Sequence, residues 1–346
     1  MAASIAARGL VVVTGGSGFI AGYCIAELLN NGWRVRTTIR NLSRAEETRA
    51  TIGKIAVNAD TIEFVAADLN SDVGWAGAVA GADYVLHLAS PVPVVAPDND
   101  DEVVRPARDG TLRVLKASRD ARVRRVVVTS SIAAIAYGRG QRTQSFSEND
   151  WTDETNRKDT TPYARSKTIA ERAAWEWQKT EGGTLELVTV NPVVVLGPAL
   201  GSDFSASLEV IKKLLDRSVP ALPRFGFNLV DVRDIAKLHL LAMTAPEAAG
   251  ERFIASSEFY WMKDIAGILK QELGDNARNV PSVSIPDFLV RILAMFDPVL
   301  RGRLFDLGKR RLVSSDKARR ILGWTTRPTR ETILDTARSL LGQGLV

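Results

Sequence analysis

Short apolar runs alternate with stretches of helical periodicity from the start of the chain to Pro192. Residues 19–30 place apolar side chains at helical spacing and end before Asn31-Gly32, a common C-terminal signal. A second helical stretch covers residues 101–120. The apolar runs that predict strands are residues 10–13, 33–40, 61–69, 83–90, 124–131 and 185–192. Because strands separated by helices favour right-handed crossovers, we predict an α/β fold with a Rossmann-type, doubly wound parallel sheet.

The alternation of strands and helices ends after Pro192, where a stretch with further prolines is predicted to be mostly loop. Residues 228–243 predict a short strand followed by a helix, and residues 251–256 predict one more strand. The helical segments that follow are 261–273, 286–296, 314–324 and 330–341. We therefore predict a smaller, mostly helical and discontinuous second lobe. The predicted boundaries are 1–191 and about 228–256 for the Rossmann domain, and 192–227 and 257–346 for the second lobe.

Composition narrows the class of protein. The chain has 346 residues, of which 45% are apolar and 25% are charged, the profile of a soluble globular protein. No apolar run approaches the roughly 20 residues of a membrane span, and residues 1–16 lack the pattern of a signal peptide. We therefore expect a cytoplasmic protein without a membrane partner. Cys24 is the single cysteine and His87 and His239 are the two histidines, so neither a disulfide nor a metal site is expected.

The net charge of +5 raises the question of a nucleic-acid partner. Arginine and lysine are nevertheless spread along the whole chain. The densest clusters, residues 122–125 and 301–311, are interpreted as solvated faces with local ion pairs. The expected partner is a small molecule and not a nucleic acid, and the expected oligomeric state is monomer or homodimer.

Three glycines, Gly15, Gly16 and Gly18, stand between the first predicted strand and the first predicted helix. Glycine lets the backbone turn sharply and lets a pyrophosphate approach the helix N-terminus, where free N–H groups favour anions. Ala21 occupies the place of a frequent third glycine and is small enough for close helix–strand packing. The same spacing also occurs in plain strand-to-helix turns. The flanking elements and the alternation that follows favour a dinucleotide site.

The end of the second predicted strand discriminates between the two nicotinamide dinucleotides. Selection of NAD normally uses Asp or Glu about 20 residues after the glycines, bound to the ribose 2′-hydroxyl. This region instead contains Arg34, Arg36, Arg40 and Arg44, with no acid before Glu46. Arginine pairs with a 2′-phosphate through charge-assisted hydrogen bonds, although some of these side chains are expected to be plain exposed charges. We predict NADP(H) as the cofactor, with Arg40 as its main contact and Arg44 as a second.

A tyrosine and a lysine four residues apart open a further predicted helix. Thr161 suits the N-cap and Pro162 the first helical position, so that Tyr163 and Lys167 share one face of the first turns. Ser131 stands at the end of the fifth predicted strand. Each residue alone has an ordinary explanation, as a turn serine, a half-buried tyrosine or a solvated lysine. Together with the glycine turn upstream, they favour a proton-transfer site.

The order and spacing of several motifs connect these features. They are "TGGSGFIAG", "AADL", "HLAS", "VVVTSS", "YARSK" and "NPVVVLGP", with "SKTIAERAAW" and "RRILGW" as further signatures. The chain resembles the extended short-chain dehydrogenase/reductases, and within them the dihydroflavonol reductase/cinnamoyl-CoA reductase-like branch with its bacterial and fungal aldehyde and ketone reductases. The resemblance covers nearly the whole chain. It implies an NADP-dependent oxidoreductase whose Rossmann domain binds NADP(H) and whose second lobe binds a carbonyl or alcohol substrate.

The resemblance implies a catalytic role for Ser131, Tyr163 and Lys167. Tyr163 would protonate the carbonyl oxygen as the hydride arrives, and Ser131 would hydrogen-bond the same oxygen. The Lys167 ammonium, with the oxidised nicotinamide, would lower the pKa of the tyrosine and would also hold the nicotinamide ribose, as Tyr163 borders it. The other implied cofactor contacts are Gly15, Ser17, Gly18, Phe19 and Ile20 in the glycine turn and helix start, Asp68 and Leu69 at the adenine, Leu88, Ala89 and Ser90 along the dinucleotide, Thr129 at the ribose, Pro192 and Val195 at the nicotinamide, and Ser207 at a phosphate.

Two positions depart from the plant flavonoid reductases of this branch. Ala136 stands where they carry an asparagine, and Asn228 matches their second-lobe glutamine. The implied substrate contacts are Val92, Ser131, Ile135, Ala136, Tyr163, Phe225, Phe227 and Asn228. Because the border of this pocket is apolar and aromatic, we predict an NADPH-dependent reductase of apolar or aromatic aldehydes and ketones, with alcohol oxidation in reverse.

Three alternatives stay open. Two belong to the same superfamily: a 3β-hydroxysteroid dehydrogenase, and a sugar-nucleotide epimerase or dehydratase. The arginines after the second strand and the "SKTIAERAAW" signature argue against the epimerase. The third is a non-catalytic NADP-binding regulatory protein, which would not need the complete set of Ser131, Tyr163 and Lys167.

Overall fold

The computed structural model describes residues 8–90, 99–140, 142–201, 205 and 207–346. Its strands are β1 (Arg8–Thr14), β2 (Trp33–Ile39), β3 (Glu63–Ala66), β4 (Tyr84–His87), β5 (Arg125–Thr129), β6 (Glu186–Pro192), β7 (Val194–Leu196), β8 (Gly226–Asp231), β9 (Arg252–Ala255) and β10 (Phe259–Trp261). Its α-helices are α1 (Phe19–Asn30), α2 (Ala45–Gly53), α3 (Trp75–Val79), α4 (Asp101–Asp120), α5 (Pro162–Glu181), α6 (Glu209–Leu215), α7 (Val232–Thr244), α8 (Met262–Leu273), α9 (Asp287–Leu293), α10 (Pro298–Arg301), α11 (Asp316–Leu322) and α12 (Thr329–Gly342). Every strand predicted before Pro192 is present. None of the helices in the described part of the chain is long and apolar enough to cross a membrane.

A seven-stranded parallel sheet forms the centre of the molecule, in the order β3-β2-β1-β4-β5-β6-β9. The strand order reverses at β1, because β2 and β3 extend to one side and the other strands to the opposite side. In a doubly wound sheet this switch point opens a crevice at the carboxyl ends of the strands, where ligands bind. The predicted fold class, an α/β fold with a Rossmann-type sheet, is confirmed.

Alternate residues of β1 face two different layers of helices. Val11 and Val13 belong to a core that includes α1 and α7, whereas Leu10 and Val12 belong to a core with α3, α4 and Trp177 of α5. Both faces of the sheet are therefore buried, which explains why its strands read as continuous apolar runs. Packing on both faces also fixes the strand ends, and hence the polar side chains that follow them.

A separate small sheet contains three of the later strands, in the order β10-β8-β7. β8 confirms the strand predicted near Asn228, but it pairs with β7 and β10 and not with the main sheet. β7 and β10 have three residues each, which is too short for a recognisable period, so the sequence did not predict them. The boundaries between the two predicted domains stay a prediction.

Both basic clusters contain a residue that differs from the interpretation. Arg125, in the cluster 122–125, is buried and binds Glu186, 61 residues away, at 2.6 Å. Arg311, in the cluster 301–311, is buried, and its guanidinium binds Asp159 at 2.8 Å and Asp306 at 3.0 Å. It also donates to the Ala136 carbonyl at 3.0 Å. The interpretation as a solvated face with local ion pairs was wrong for Arg311, because Asp159 is 152 residues away in the chain. Sequence proximity could not reveal this partner.

Candidate active site

The glycine turn after β1 has the geometry of an anion site. Gly15 has a φ of +73°, in the left-handed region that favours glycine, and a Cβ there would stand 3.0 Å from the Ala89 Cα. Helix α1 begins after Gly18 without a side-chain cap and with no acid in its first turn. Its first backbone N–H groups therefore have no capping side chain as acceptor, an arrangement that binds phosphate or pyrophosphate. These residues fit a dinucleotide.

The four arginines in and after β2 divide into two pairs. Arg34 and Arg36 bind Glu63 on β3, at 3.4 and 2.8 Å, and so belong to the fold. Arg40 is exposed directly after β2. Arg44 lines a cavity together with the glycine turn and also pairs with a glutamate of α2. The contact of Arg40 and Arg44 with a 2′-phosphate stays a prediction.

Thr14 joins the glycine turn to the end of β4. Its hydroxyl oxygen accepts the backbone N–H groups of Leu88 at 3.0 Å and Ala89 at 2.9 Å. With both lone pairs occupied, its proton points to Nδ1 of His87, 2.9 Å away, so this histidine carries its proton on Nε2. Burial lowers the pKa of His87 to about 3, and the charge of Lys167 acts in the same direction. His87 is a neutral support at the carboxyl ends of β1 and β4.

The second histidine holds Thr129 at the end of β5. Nδ1 of His239 donates to the Ile235 carbonyl at 2.9 Å, so Nε2 accepts the proton of the Thr129 hydroxyl at 2.7 Å. Burial lowers the pKa of His239 to about 4, which keeps the ring neutral at pH 7. Among the described residues, no group of three or more His, Cys, Asp or Glu side chains could hold a metal ion.

Helix α5 begins as the sequence predicts. The Thr161 side chain accepts the Ala164 N–H at 3.0 Å, and Pro162 occupies the first turn. Tyr163 and Lys167 follow on one side of the helix, with Nζ of the lysine 6.0 Å from the centre of the tyrosine ring. The predicted helix start and the shared face are therefore confirmed.

Ser131 completes the set from the end of β5. Its Oγ accepts the Ala133 N–H at 3.1 Å, and its hydroxyl interacts with the hydroxyl of Tyr163. Lys167 reaches the same strand end, where its ammonium donates to the Thr129 carbonyl at 3.4 Å. The structure thus brings a serine hydroxyl, a phenol and an ammonium together. Such a group can orient a carbonyl oxygen and give it a proton.

Burial is the main influence on the pKa values of Tyr163 and Lys167. It raises the pKa of Tyr163, although the Ser131 hydroxyl opposes the shift, so the phenol is protonated at neutral pH. Burial lowers the pKa of Lys167 to about 8, and the charge of Glu171 opposes that shift. The pKa of Tyr163 follows here from burial and from the Ser131 hydroxyl, without a contribution from Lys167, so the lowering expected from the lysine is not seen. The added influence of an oxidised nicotinamide stays a prediction.

A buried carboxylate below Lys167 escaped the sequence analysis. Glu171 lies one turn further along α5, its side chain is fully buried, and it pairs with Arg252 of β9 at 2.7 Å. Ser130 and Asn191 also donate to it, at 2.5 and 2.7 Å. Its spacing of four residues from Lys167 was the available signal. Its partners come from three different strand ends and loops, which only the topology brings together.

The other predicted contacts occupy varied environments. Half-buried positions hold Ile20, Asp68, Leu69, Leu88, Ala89, Ser90, Ser207, Phe225 and Phe227, whereas Phe19, Pro192 and Val195 are buried and Ser17 and Gly18 are exposed. Val92 lies outside the described residues. The roles assigned to these residues in cofactor and substrate binding stay predictions.

Three predicted substrate contacts are engaged within the protein. Ile135 and Ala136 expose no more than 1% of their surface and pack with Phe146 and Ile254 in a small core. Direct contact of their side chains with a substrate therefore has no support in this geometry. The amide of Asn228 donates to the Arg311 carbonyl at 2.8 Å. That bond orients its side chain and leaves the amide oxygen for other partners.

Comparison with known proteins places this site in a family. Residues 11–255 match the NAD dependent epimerase/dehydratase family, which is more than half of the chain. The chain belongs to this family. The matched region contains the glycine turn, the end of β5 and the first turns of α5. The predicted resemblance to the extended short-chain dehydrogenase/reductases is confirmed.

Several members of the family and its structural neighbours are reductases. Cinnamoyl-CoA reductase 1 of Arabidopsis thaliana is 36% identical over 71% of this chain and 70% of that protein. Tetraketide alpha-pyrone reductase 2 of the same plant is 36% identical over 73% of this chain and 80% of that protein. The crystal structure of yeast methylglyoxal/isovaleraldehyde reductase Gre2 complexed with NADPH is 27% identical, covers 97% of this chain and 100% of that chain, and has a TM-score of 0.80. The predicted branch and the predicted class, a nicotinamide dinucleotide-dependent oxidoreductase, are confirmed.

Proposed function

We propose that the protein is an NADPH-dependent reductase that transfers a hydride to the carbonyl of an apolar or aromatic aldehyde or ketone and oxidises the alcohol in reverse. The observation that carries the proposal is the convergence of Ser131, Tyr163 and Lys167 at the carboxyl end of β5. A glycine turn that fits a dinucleotide lies at the same edge of the sheet. A dinucleotide-binding protein without turnover would not require that convergence.

The residues of the chain supply orientation and the proton. NADPH supplies the hydride when it is bound. Tyr163, kept protonated by burial, donates its proton to the carbonyl oxygen as negative charge develops there. Because the Ser131 oxygen accepts the Ala133 N–H, its own proton is available to hydrogen-bond the same carbonyl oxygen. In the reverse direction, the tyrosinate accepts the proton of the alcohol.

Lys167 stabilises the tyrosinate that remains after proton transfer. Its ammonium favours negative charge on the neighbouring phenol oxygen. Its bond to the Thr129 carbonyl supports the proposal that it also binds the ribose hydroxyls of the cofactor. Because the pKa of Lys167 is about 8, the ammonium stabilises the tyrosinate fully below that pH, and this stabilisation is lost above it.

The preference for NADPH over NADH is assigned to Arg40 and Arg44. No acid stands at the position that would bind a free ribose 2′-hydroxyl. The two arginines are separate from the Arg34 and Arg36 pairs that hold Glu63. The NADPH bound by the yeast Gre2 structure supports the same preference.

The substrate class follows from the polarity around the site. Phe225 and Phe227 are half-buried at the start of β8, where they supply apolar and aromatic surface. The relatives are named for cinnamoyl-CoA, a tetraketide alpha-pyrone, methylglyoxal and isovaleraldehyde, so a small apolar or aromatic carbonyl compound is the common expectation.

The decisive experiment follows NADPH absorbance with a panel of aryl ketones, aliphatic and aromatic aldehydes and cinnamoyl-CoA. Oxidation of NADPH by at least one carbonyl, with loss of the activity in Tyr163→Phe, is expected. Tight NADPH binding without oxidation by any member would contradict the proposal and favour a regulatory protein. Turnover confined to a nucleotide sugar or a 3β-hydroxysteroid would replace the substrate class and keep the chemistry.

A further inference from the structure

The carboxylate of Glu171 is saturated by hydrogen-bond donors. Its side chain is fully buried, and both oxygens accept more than one bond. The donors are Arg252 Nε at 2.7 Å, Thr189 Oγ1 at 3.2 Å and Trp175 Nε1 at 3.4 Å to Oε1, and Ser130 Oγ at 2.5 Å and Asn191 Nδ2 at 2.7 Å to Oε2. A buried carboxylate held in so many directions has little freedom to move.

This carboxylate controls the backbone on both sides of Ser131. Ser130, which binds it through its hydroxyl, directly precedes Ser131 and donates its backbone N–H to the Val190 carbonyl at 2.8 Å. The amide of Asn191 bridges Glu171 and the Ser131 carbonyl, at 2.7 and 3.2 Å. A displacement of the carboxylate would therefore displace the proposed carbonyl-orienting serine.

Arg252 fixes the carboxylate from the opposite side. Its Nη1 donates to the carbonyls of Glu148 at 2.6 Å and Asp150 at 2.9 Å. Its guanidinium also lies 3.7 Å from the ring centre of Trp151. A planar guanidinium with these contacts has one available orientation. Helix α5 is thus tied to β9 at the level of Glu171.

Glu171 also sets the charge around Lys167. Among the described residues, the groups that face Lys167 are Tyr163 and Glu171 on α5, the Thr129 carbonyl on β5 and the neutral His87 on β4. Glu171 is the one anion of this group and opposes the loss of the lysine proton that burial favours.

We propose that Glu171 is a positioning residue of the active site, which fixes Ser131 through Ser130 and Asn191 and places a negative charge one helical turn from Lys167. This inference rests on the proposed reductase function for its kinetic consequences. The structural arrangement itself concerns the free protein and can be tested by cofactor binding alone.

The test compares Glu171→Gln with Glu186→Gln. Both changes remove the charge of a glutamate that pairs with a buried arginine of the main sheet, but Glu186 lies at the amino end, bound to Arg125 at 2.6 Å.

NADPH affinity is measured by fluorescence from pH 6 to 9.5, and kcat and KM are measured at pH 7.5. For Glu171→Gln, we expect the alkaline weakening of NADPH binding to begin at lower pH and kcat to fall about 10- to 100-fold. For Glu186→Gln, both should stay within about twofold of the unchanged protein, whatever stability it loses.

Two further variants make the outcome decisive. Glu171→Asp keeps the charge. It should therefore restore the midpoint of the alkaline transition, the pH at which half of the NADPH affinity lost at high pH has disappeared. If Glu171→Gln does not fold, Ser130→Ala removes a single tether and should lower kcat without moving the midpoint. An unchanged midpoint and an unchanged kcat in Glu171→Gln, or in Ser130→Ala an unchanged kcat, would overturn the inference. If the unchanged protein oxidises no NADPH, the proposed function fails, while the pH dependence of NADPH affinity still decides the role of Glu171.

Discussion

Ionisable side chains lie at both the amino ends and the carboxyl ends of the main sheet. The two ends differ in whether these side chains are paired with an opposite charge. Toward the amino ends, arginine is paired with glutamate on the neighbouring strand: Arg125 at the start of β5 with Glu186 at 2.6 Å, and Arg36 in the middle of β2 with Glu63, the first residue of β3, at 2.8 Å. Each arginine also donates to backbone carbonyls, three of them in the case of Arg125. Each of these positive charges therefore has a carboxylate in contact.

At the carboxyl ends, four ionisable side chains have no opposite charge in contact, although the buried Glu171–Arg252 pair lies beside them. Burial lowers the pKa of His87, of His239 and of Lys167, and raises the pKa of Tyr163. No salt bridge of the described residues involves any of the four. The comparison teaches that the sheet stabilises the fold at one end and keeps reactive groups in defined protonation states at the other.

The largest effect is expected for Tyr163→Phe. Removal of the phenol hydroxyl removes the proposed proton donor, so kcat should fall about 10³-fold while the NADPH dissociation constant and the melting temperature change little. The matched control is Tyr84→Phe, because Tyr84 starts β4 at the amino end and its hydroxyl binds Arg124 at 3.2 Å. Comparable turnover by the two variants would remove the functional difference between the ends.

The second effect belongs to the amino end. Arg125→Met leaves Glu186 and three carbonyls without their donor, so the free energy of unfolding should fall by about 3 kcal/mol. Urea unfolding measures this loss. The fraction that stays folded should keep its kcat/KM, since Arg125 is remote from the carboxyl ends. A loss of kcat/KM without a loss of stability would contradict the purely structural role assigned to the amino end.

The free energy of unfolding at acid pH should show that His239 is neutral in the folded chain. The pKa of His239 is about 4 in the folded chain and near 6.5 when unfolded, so the unfolded state binds the extra proton and folding stability is lost as pH falls through 6.5 toward 4. Between pH 7 and pH 5, this one group should cost about 2 kcal/mol. In His239→Gln, the loss measured by urea unfolding at the two pH values should shrink by that amount. The same loss in both proteins would show that His239 is protonated in the folded state.

The smallest effect concerns cofactor choice along a single strand. Arg34 is near the amino end of β2 and binds Glu63, whereas Arg40 follows its carboxyl end. Arg40→Ala should raise KM for NADPH about tenfold, roughly one lost charge-assisted contact, and leave KM for NADH nearly unchanged. Arg34→Ala should change neither. Equal changes with both cofactors would contradict the assigned role of Arg40.

The sequence predicted the elements with a clear period and the residues with a familiar spacing. The strands of the main sheet, the start of α5 and the meeting of Ser131, Tyr163 and Lys167 all followed from apolar patterning, cap chemistry and the order of motifs. Three-residue strands such as β7 and β10 leave no period to detect, and they were missed.

Long-range polar contacts could not be predicted, because their partners are unrelated in sequence. His87 and His239 were weighed as metal ligands, yet each one holds a threonine, 73 and 110 residues away. Glu171 receives Arg252 from 81 residues away. Burial also raises the pKa of Tyr163, and desolvation of this kind depends on packing that a sequence does not display.

The central claim is that buried groups at the carboxyl ends run the reaction in defined protonation states. Its most direct test is the pH dependence of kcat/KM for NADPH at saturating carbonyl, which reports the ionisations of the free enzyme. We predict a plateau through neutral pH and a decline above about pH 8, as Lys167 loses its proton while Tyr163 keeps its own. A profile that stays flat to pH 9.5, or that rises with pH, would contradict the account.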